Sequence, residues 1–196
     1  SSENKLLAQK LYFFLGSIFI TALVVSNLIF QKFFSWYHFI LGIKLFELSV
    51  GILPYPITFL ITDIISEIFG KRKANQVVFM GIVSSIFSIA LLLLGDVLPA
   101  NSSSPIDDET FNLVFSASPL AVLASMSAYL IAQFLDIRIY HFWKQLTKGK
   151  YLWLRNNFST VFSQLVDTPL VICVLFLGIR SNSEIIQFIF DGWLFK

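Results

Sequence analysis

The amino-acid sequence predicts an all-α polytopic membrane protein with six membrane-crossing helices and both termini in the cytoplasm. This prediction depends on the composition, on the length of the apolar runs and on the distribution of the basic residues. Of the 196 residues, 56% are hydrophobic and 13% are charged, and the mean hydropathy is +0.77. Because soluble domains contain about 25% charged residues, this chain has too few ions to cover a surface that faces water.

The apolar runs reach the length of about 20 helical residues that a bilayer core requires. Four runs meet this length directly, and they cover residues 11–31, 52–69, 75–99 and 158–179. A fifth helix is predicted over 119–148, and its last turns extend beyond the bilayer core. The apolar stretch 183–196 either lies at the interface or is part of a sixth, truncated membrane helix, which is the interpretation we favour. A single membrane domain, 1–196, is therefore predicted.

The basic residues predict the orientation of these helices. With six crossings, one side of the membrane holds Lys5, Lys10, Lys71, Arg72, Lys73, Lys144, Lys148, Lys150 and Arg155. The other side holds Lys32, Lys44 and Arg180, together with the acidic residues Asp107, Asp108 and Glu109. Because loops rich in Lys and Arg stay in the cytoplasm, the first side and both termini are assigned to it.

Charge and motifs exclude several classes of protein. The 14 basic and 12 acidic residues give a net charge of +2, which is too small for the basic surface of a nucleic-acid-binding protein. The single cysteine, Cys173, excludes an internal disulfide and a zinc site that needs two thiolates. The HExxH, GxSxG and Walker motifs are absent from the sequence. We therefore expect neither enzyme activity, nor a cofactor, nor a metal site.

Polar residues form a stripe on each of three predicted membrane helices. These stripes contain Asp63 and Glu67 on the second helix, Tyr129, Gln133, Asp136 and Tyr140 on the fourth, and Asn156, Thr160, Ser163, Gln164 and Asp167 on the fifth. Spacings of three and four residues place each set on one helix face. Ionisable groups within a bilayer are costly and usually face a cavity or a partner, so a hydrated central pocket is the favoured interpretation. The alternative is that these groups hold the helices together by hydrogen bonds.

Some of these acids have candidate basic partners. Arg138 lies two residues from Asp136, and Lys71 to Lys73 follow Glu67 closely in the sequence. Arg155 is a further candidate for an ion pair. The sequence leaves open which acid each cation would neutralise.

Two parts of the chain carry long, ordered motifs. The first is YPITFLITDIISEIFG at 55–70, which the basic run at 71–73 follows directly. The second part carries FNLVF at 111–115, AYLIAQFLD at 128–136, WLRNNFST at 153–160 and SQLVDT at 163–168. Together these motifs resemble the queuosine precursor transporters, a family of the bacterial vitamin uptake transporter group, over about 51–196. One departure is Leu120, where family members often have Arg.

The resemblance implies a fold similar to the substrate-binding subunits (S-components) of energy-coupling-factor (ECF) vitamin importers. It also implies import of 7-deazaguanine bases such as preQ0, preQ1 or queuine across the bacterial inner membrane for tRNA modification. The expected partners are this substrate and the lipid bilayer, without nucleic acid, while an ECF-type coupling module and self-association both stay open. One alternative function is substrate capture as an S-component. Another is a membrane enzyme that uses the acidic cavity.

The polar stripes suit such a cargo. A guanine-like edge offers two adjacent donors to a carboxylate, its carbonyl accepts from an amide, and its ring stacks on an aromatic face. The candidate acceptors are Asp63, Glu67, Asp136 and Asp167, the candidate amides are Gln133, Gln164, Asn156 and Asn157, and the candidate stacking residues are Tyr55, Phe59, Tyr129 and Trp153. Of these, Gln133, Asp136, Gln164 and Asp167 are expected first, because two stripes converge there.

Overall fold

The computed structural model of the chain describes residues 2–37, 44–115, 119–176 and 180–195. Within these ranges the fold contains seven α-helices, one β-hairpin and a single 3₁₀ turn at Val50–Ile52. In chain order the elements are α1 (Ser2–Ile29), β1 (Phe33–Tyr37), β2 (Lys44–Ser49), α2 (Tyr55–Phe69), α3 (Lys71–Val97), α4 (Asp108–Phe115), α5 (Pro119–Leu146), α6 (Leu152–Phe176) and α7 (Asn182–Phe195). The predicted helical class is confirmed, and the hairpin and α4 are additions to it.

Several helical segments are long and apolar enough to cross a membrane. They are Glu3–Ile29, Val50–Phe69, Lys71–Val97 and Leu152–Val174. Apolar side chains on their outer faces are exposed, for example Phe13 at 70% and Phe79 at 62%. Exposed apolar faces of this kind are suited to contact with lipid tails. The chain is therefore a polytopic membrane protein, as predicted.

The boundary between α2 and α3 follows from local backbone chemistry. Pro54 and Pro56 stand at the start of α2, where the missing proline N–H costs no helical hydrogen bond. Gly70 separates the two helices and has a φ of 84°, a conformation that L side chains rarely adopt. The chain reverses at this glycine, so the basic run Lys71–Lys73 forms the first turn of α3.

The hairpin between α1 and α2 was not predicted from the sequence. Its strands pair in antiparallel fashion, with Phe33 opposite Ser49 and an irregularity between Trp36 and Tyr37. The aromatic ring of Phe33 contacts the ring of Phe176 on α6, with centroids 5.7 Å apart. The apolar run at this position therefore folds back on itself as strands, which aromatic residues favour, and does not extend α1.

Contacts between side chains define how the helices are arranged. The Tyr12 hydroxyl of α1 donates to the Lys73 carbonyl of α3 at 3.2 Å, while the Tyr12 ring contacts Phe69 at the end of α2. Arg155 near the start of α6 reaches Glu67 near the end of α2. The starts of α3 and α6 and the end of α2 therefore lie at the same end of the bundle, which we call the basic end.

Candidate functional site

A cluster of buried polar side chains occupies the space between α2, α5 and α6. We call it the polar centre, and it consists of Thr62, Asp63 and Ser66 from α2, Gln133 and Asp136 from α5, and Ser159, Ser163, Gln164 and Asp167 from α6. Each of these residues is at most 4% exposed. The three predicted stripes therefore turn inward together. The role of these residues in binding stays a prediction.

The amphipathic sequence of α2 explains how this helix contributes to the polar centre. Thr62 is buried, and its hydroxyl donates to the Thr58 and Phe59 carbonyls one turn earlier, at 3.2 and 2.9 Å. On the other face of the helix, Leu60 and Ile68 are both more than half exposed. Because the hydroxyl of Thr62 is satisfied within its own helix, the burial of this one side chain costs little.

Hydrogen bonds join α5 to the two helices on either side of it. The amide Nε2 of Gln133 donates to the Tyr129 hydroxyl at 3.0 Å and lies 3.5 Å from Oγ1 of Thr62. Ser163 on α6 donates to Oδ1 of Asp136 at 3.1 Å. These bonds fix the orientation of the Gln133 amide and the Asp136 carboxylate. Part of the polar centre therefore acts as packing between helices, which was the alternative interpretation of the stripes.

Other atoms of the polar centre accept no hydrogen bond from the residues that the structure describes. They are both carboxylate oxygens of Asp63, Oδ2 of Asp136, and the amide oxygens of Gln133 and Gln164. Asp63 and Asp136 are also close enough to interact electrostatically across the α2–α5 interface. A buried polar atom without a partner costs about 1–3 kcal/mol. Hydrogen bonds between helices alone therefore do not account for this cluster, and it can accept several donors from a bound molecule.

Aromatic side chains line one border of the polar centre. The Tyr129 ring lies edge-to-face against Tyr55, with centroids 5.2 Å apart, and against Phe59, at 6.1 Å. Phe59 and Tyr129 are each 2% exposed. Because Tyr129 also bonds to Gln133, the aromatic border and the polar centre form one continuous surface. The packing therefore places aromatic rings and hydrogen-bonding groups side by side, which are the two kinds of contact that a flat heterocycle needs.

Glu67 lies at the basic end and has its own partners. Its Oε2 atom accepts from Lys144 Nζ at 2.9 Å, from Arg155 Nη2 at 2.9 Å and from the Tyr140 hydroxyl at 2.8 Å. The Arg155 guanidinium also lies over the Tyr140 ring. We call these four side chains the Glu67 cluster. Among the residues described, its ion pairs come from α5 and α6 and not from the basic run 71–73, which the sequence offered as the partner.

Three of the predicted site residues lie at the edge of this arrangement or outside it. Trp153 is 64% exposed, Asn157 is exposed and Asn156 is half-buried. Arg138, the candidate partner of Asp136, is exposed as well. Sequence reasoning missed Ser159, which is fully buried, although it stands four residues before Ser163 and so had a detectable signal.

Long apolar helices around a buried polar centre define a polytopic membrane protein. A family model described as "Putative vitamin uptake transporter" matches residues 49–196. The chain belongs to this family, as the resemblance of its motifs indicated. No solved structure gives a significant match.

Two curated relatives support this assignment. A "Probable queuosine precursor transporter" of Bacillus subtilis (strain 168) is 30% identical over 157 residues, which cover 79% of this chain and 68% of the relative. A second "Probable queuosine precursor transporter", from Haemophilus influenzae (strain ATCC 51907 / DSM 11121 / KW20 / Rd), is 27% identical over 136 residues. That alignment covers 67% of this chain and 53% of the relative, so the chain spans about half the length of the Haemophilus protein.

Proposed function

We propose that this protein imports queuosine precursors, 7-deazaguanine bases such as preQ0, preQ1 or queuine, into the cytoplasm for tRNA modification. The names of the two relatives support this cargo. The observation that carries the proposal is the polar centre, where three helices present buried carboxylate and amide oxygens that no hydroxyl, amide or cation of the described residues satisfies. The base is released unchanged, so the protein acts as a transporter and not as an enzyme.

The chemistry of the polar centre suits the edge of a guanine-like base. Such an edge carries an N1–H and an exocyclic amine side by side, and carboxylate oxygens accept both. Asp63 and Asp136 supply unsatisfied carboxylate oxygens at one site. Gln164 contributes an amide that can donate to the base carbonyl while its oxygen accepts. The aromatic border around Tyr129 packs against the ring, a contact worth about 1–3 kcal/mol.

The proposed import across the inner membrane requires a defined orientation of the helices in the bilayer. In this proposal α5, which is 28 residues long, crosses the membrane together with the four long apolar segments, while the 14 residues of α7 cover only about 21 Å of its thickness. Both termini are cytoplasmic, as in the S-component fold, because the cations at 71–73 and at Lys144 lie at the basic end. The Glu67 cluster ties α2, α5 and α6 together there. Release of the base into the cytoplasm requires these ion pairs to open.

Binding to the purified protein tests the proposal. Titration with preQ0, preQ1 and queuine should give saturable binding, with adenine as the negative control. Asp136→Asn and Gln164→Ala should each weaken that binding by roughly tenfold or more, since a buried donor or acceptor left unpaired costs about 1–3 kcal/mol. Gln187→Ala, at an exposed glutamine on α7, is the matched control and should bind as the wild type does. If both variants of the polar centre bind with wild-type affinity, Asp136 and Gln164 act only in helix packing.

A second candidate function is substrate capture as the S-component of an ECF importer. The face of α1 that carries Ser17, Thr21 and Ala22 borders an open groove of about 590 Å³, where small side chains would let a partner helix approach closely. Uptake of labelled base in cells without any coupling module distinguishes a solitary importer from an S-component. Accumulation there supports a solitary importer, and its absence supports an S-component. Recovery of a chemically altered base would instead support the enzyme alternative.

A further inference from the structure

A second concave surface lies at the basic end, on the outside of the bundle. It is a groove of about 1220 Å³ between the first half of α1, the end of α2 and the start of α3. Four basic side chains line it, namely Lys5, Lys71, Arg72 and Lys73, and its described lining contains no acidic residue. The ion pairs found in the described part of the chain involve Glu67 and Glu184, and none of these four cations takes part in them. The groove therefore concentrates positive charge.

The position of three of these cations is electrostatically unfavourable in the protein alone. Lys71, Arg72 and Lys73 form the first turn of α3, and Gly70 immediately precedes them. The start of a helix carries a partial positive charge. In α3 the Lys73 N–H already donates to the Gly70 carbonyl at 3.1 Å, so the helix dipole and the three cations are what attract an anion. Basic residues in a first turn oppose this dipole, so the arrangement favours a bound anion. The same anion would satisfy the helix start and the side chains together.

The remaining walls of the groove are apolar and continue onto the surface that faces lipid. Phe13 of α1 and Phe79 and Met80 of α3 line it, and each is at least half exposed. Lys73 is held at the inner wall, with its Nζ 4.9 Å from the centre of the Tyr12 ring. The groove therefore combines a cationic floor at the level of the headgroups with an apolar wall beside the hydrocarbon. A free inorganic phosphate would make no contact with that wall.

We propose that this groove binds an anionic phospholipid, with the lipid phosphate at Lys5, Lys71 and Arg72 and an acyl chain against Phe79 and Met80. Basic pockets between membrane helices take lipid headgroups through this charge complementarity, and each cation contributes to the affinity. The lipid would fix α1 against α3 and so stabilise one side of the bundle. This inference does not depend on the transported cargo, because none of these residues belongs to the polar centre.

The experiment compares the purified chain in nanodiscs of phosphatidylcholine with nanodiscs that also contain phosphatidylglycerol. Thermal unfolding and the number of lipids retained in native mass spectrometry are the two measurements. The wild type should unfold at a higher temperature with phosphatidylglycerol and retain it selectively. Lys71→Gln/Arg72→Gln should lose the stabilisation and retain roughly tenfold less phosphatidylglycerol. Lys148→Gln/Lys150→Gln removes the same charge at the basic end, outside the groove, and should behave as the wild type does.

Several outcomes would overturn the proposal. Equal losses in both double variants would mean that only the overall surface charge matters. Full stabilisation by soluble glycerol phosphate in phosphatidylcholine nanodiscs would identify a free-phosphate site instead of a lipid site. If phosphatidylglycerol changes neither the unfolding temperature nor the lipid retention of the wild type, the groove does not bind an anionic lipid. A cooperative unfolding transition in pure phosphatidylcholine checks that each variant folds. If Lys71→Gln/Arg72→Gln does not fold, Arg72→Gln alone is used in its place.

Discussion

Neutralising Glu67 should destabilise the protein far more than removing Lys144, the partly exposed cation beside it. In the Glu67 cluster, Arg155 is only 1% exposed, whereas Lys144 and Glu67 are 30% and 35% exposed. Glu67→Gln leaves the Arg155 guanidinium buried without a carboxylate. Breaking a fully buried pair in this way costs about 3–5 kcal/mol, and the partial exposure of Glu67 lowers the expected loss to roughly 2–4 kcal/mol.

The neighbouring variants set the scale for this loss. Lys144→Met removes a half-exposed charge while Arg155 keeps its partner, so the expected cost is about 0–1 kcal/mol. Arg155→Met leaves Glu67 bound to Lys144 and Tyr140 and should cost less than Glu67→Gln. The double variant Glu67→Gln/Arg155→Met removes the buried charge together with its partner. It should therefore recover part of the stability that Glu67→Gln loses.

Thermal unfolding of purified variants in one detergent measures these differences. For a chain of this size about 1 kcal/mol corresponds to roughly 2–4 °C in Tm, so Glu67→Gln should fall by roughly 4–16 °C and Lys144→Met by at most about 4 °C. Equal Tm values for Glu67→Gln and Lys144→Met would refute the reasoning, because they would show that burial of Arg155 carries no penalty. A double variant less stable than Glu67→Gln would refute it as well.

Further predictions concern close packing and a helix cap. Gly51→Ala should lower Tm and cost roughly 1–3 kcal/mol, because its Cβ would lie 2.8 Å from backbone atoms of Phe30 and Ser26. Asp107 accepts from the Thr110 N–H at 2.8 Å at the start of α4. Hydrogen bonds from the Thr110 hydroxyl and, next, from its N–H hold the pKa of Asp107 below its ordinary 3.8. The cap is therefore complete above pH 3.8 and weakens as the pH falls further. Hydrogen exchange of residues 108–115, corrected for intrinsic rates, should show this loss below pH 3.8 and already at pH 6 in Asp107→Ala.

The inward face of the polar centre was predictable because it is a local property of each helix. Side chains three and four residues apart share a helix face. Because exposure of polar groups to lipid is costly, such a face packs toward the interior of the bundle. Asp63, Gln133, Asp136, Gln164 and Asp167 were identified in this way, and all are buried. Their convergence on one another followed from the same constraint acting on three helices of one bundle.

The exact face of α6 was not predictable, because its first turn is polar on several sides. The helix buries Arg155, Ser159, Ser163 and Asp167, a strict four-residue repeat. The sequence offered Asn156 and Thr160 equally well, and packing against α5 decides between faces that differ by one residue. Pairing of Glu67 with Arg155 joins residues 88 positions apart, so no local pattern could indicate it. The hairpin was not predicted, because its strands of five and six residues are too short to give a clear alternating pattern.

The acids between α2, α5 and α6 fall into two groups that differ in how they are compensated. Glu67 has two cations and a hydroxyl at hydrogen-bond distance, so its burial is balanced within the protein. Asp63 has no cation or hydroxyl donor among the described residues and faces the carboxyl group of Asp136 instead, although it lies one turn away on the same helix and is more deeply buried. Helix packing requires only the first kind of acid, since an apolar residue would fill the second position at lower cost. The proposed function accounts for the second kind, because a base that carries donors along one edge would supply hydrogen bonds to these oxygens.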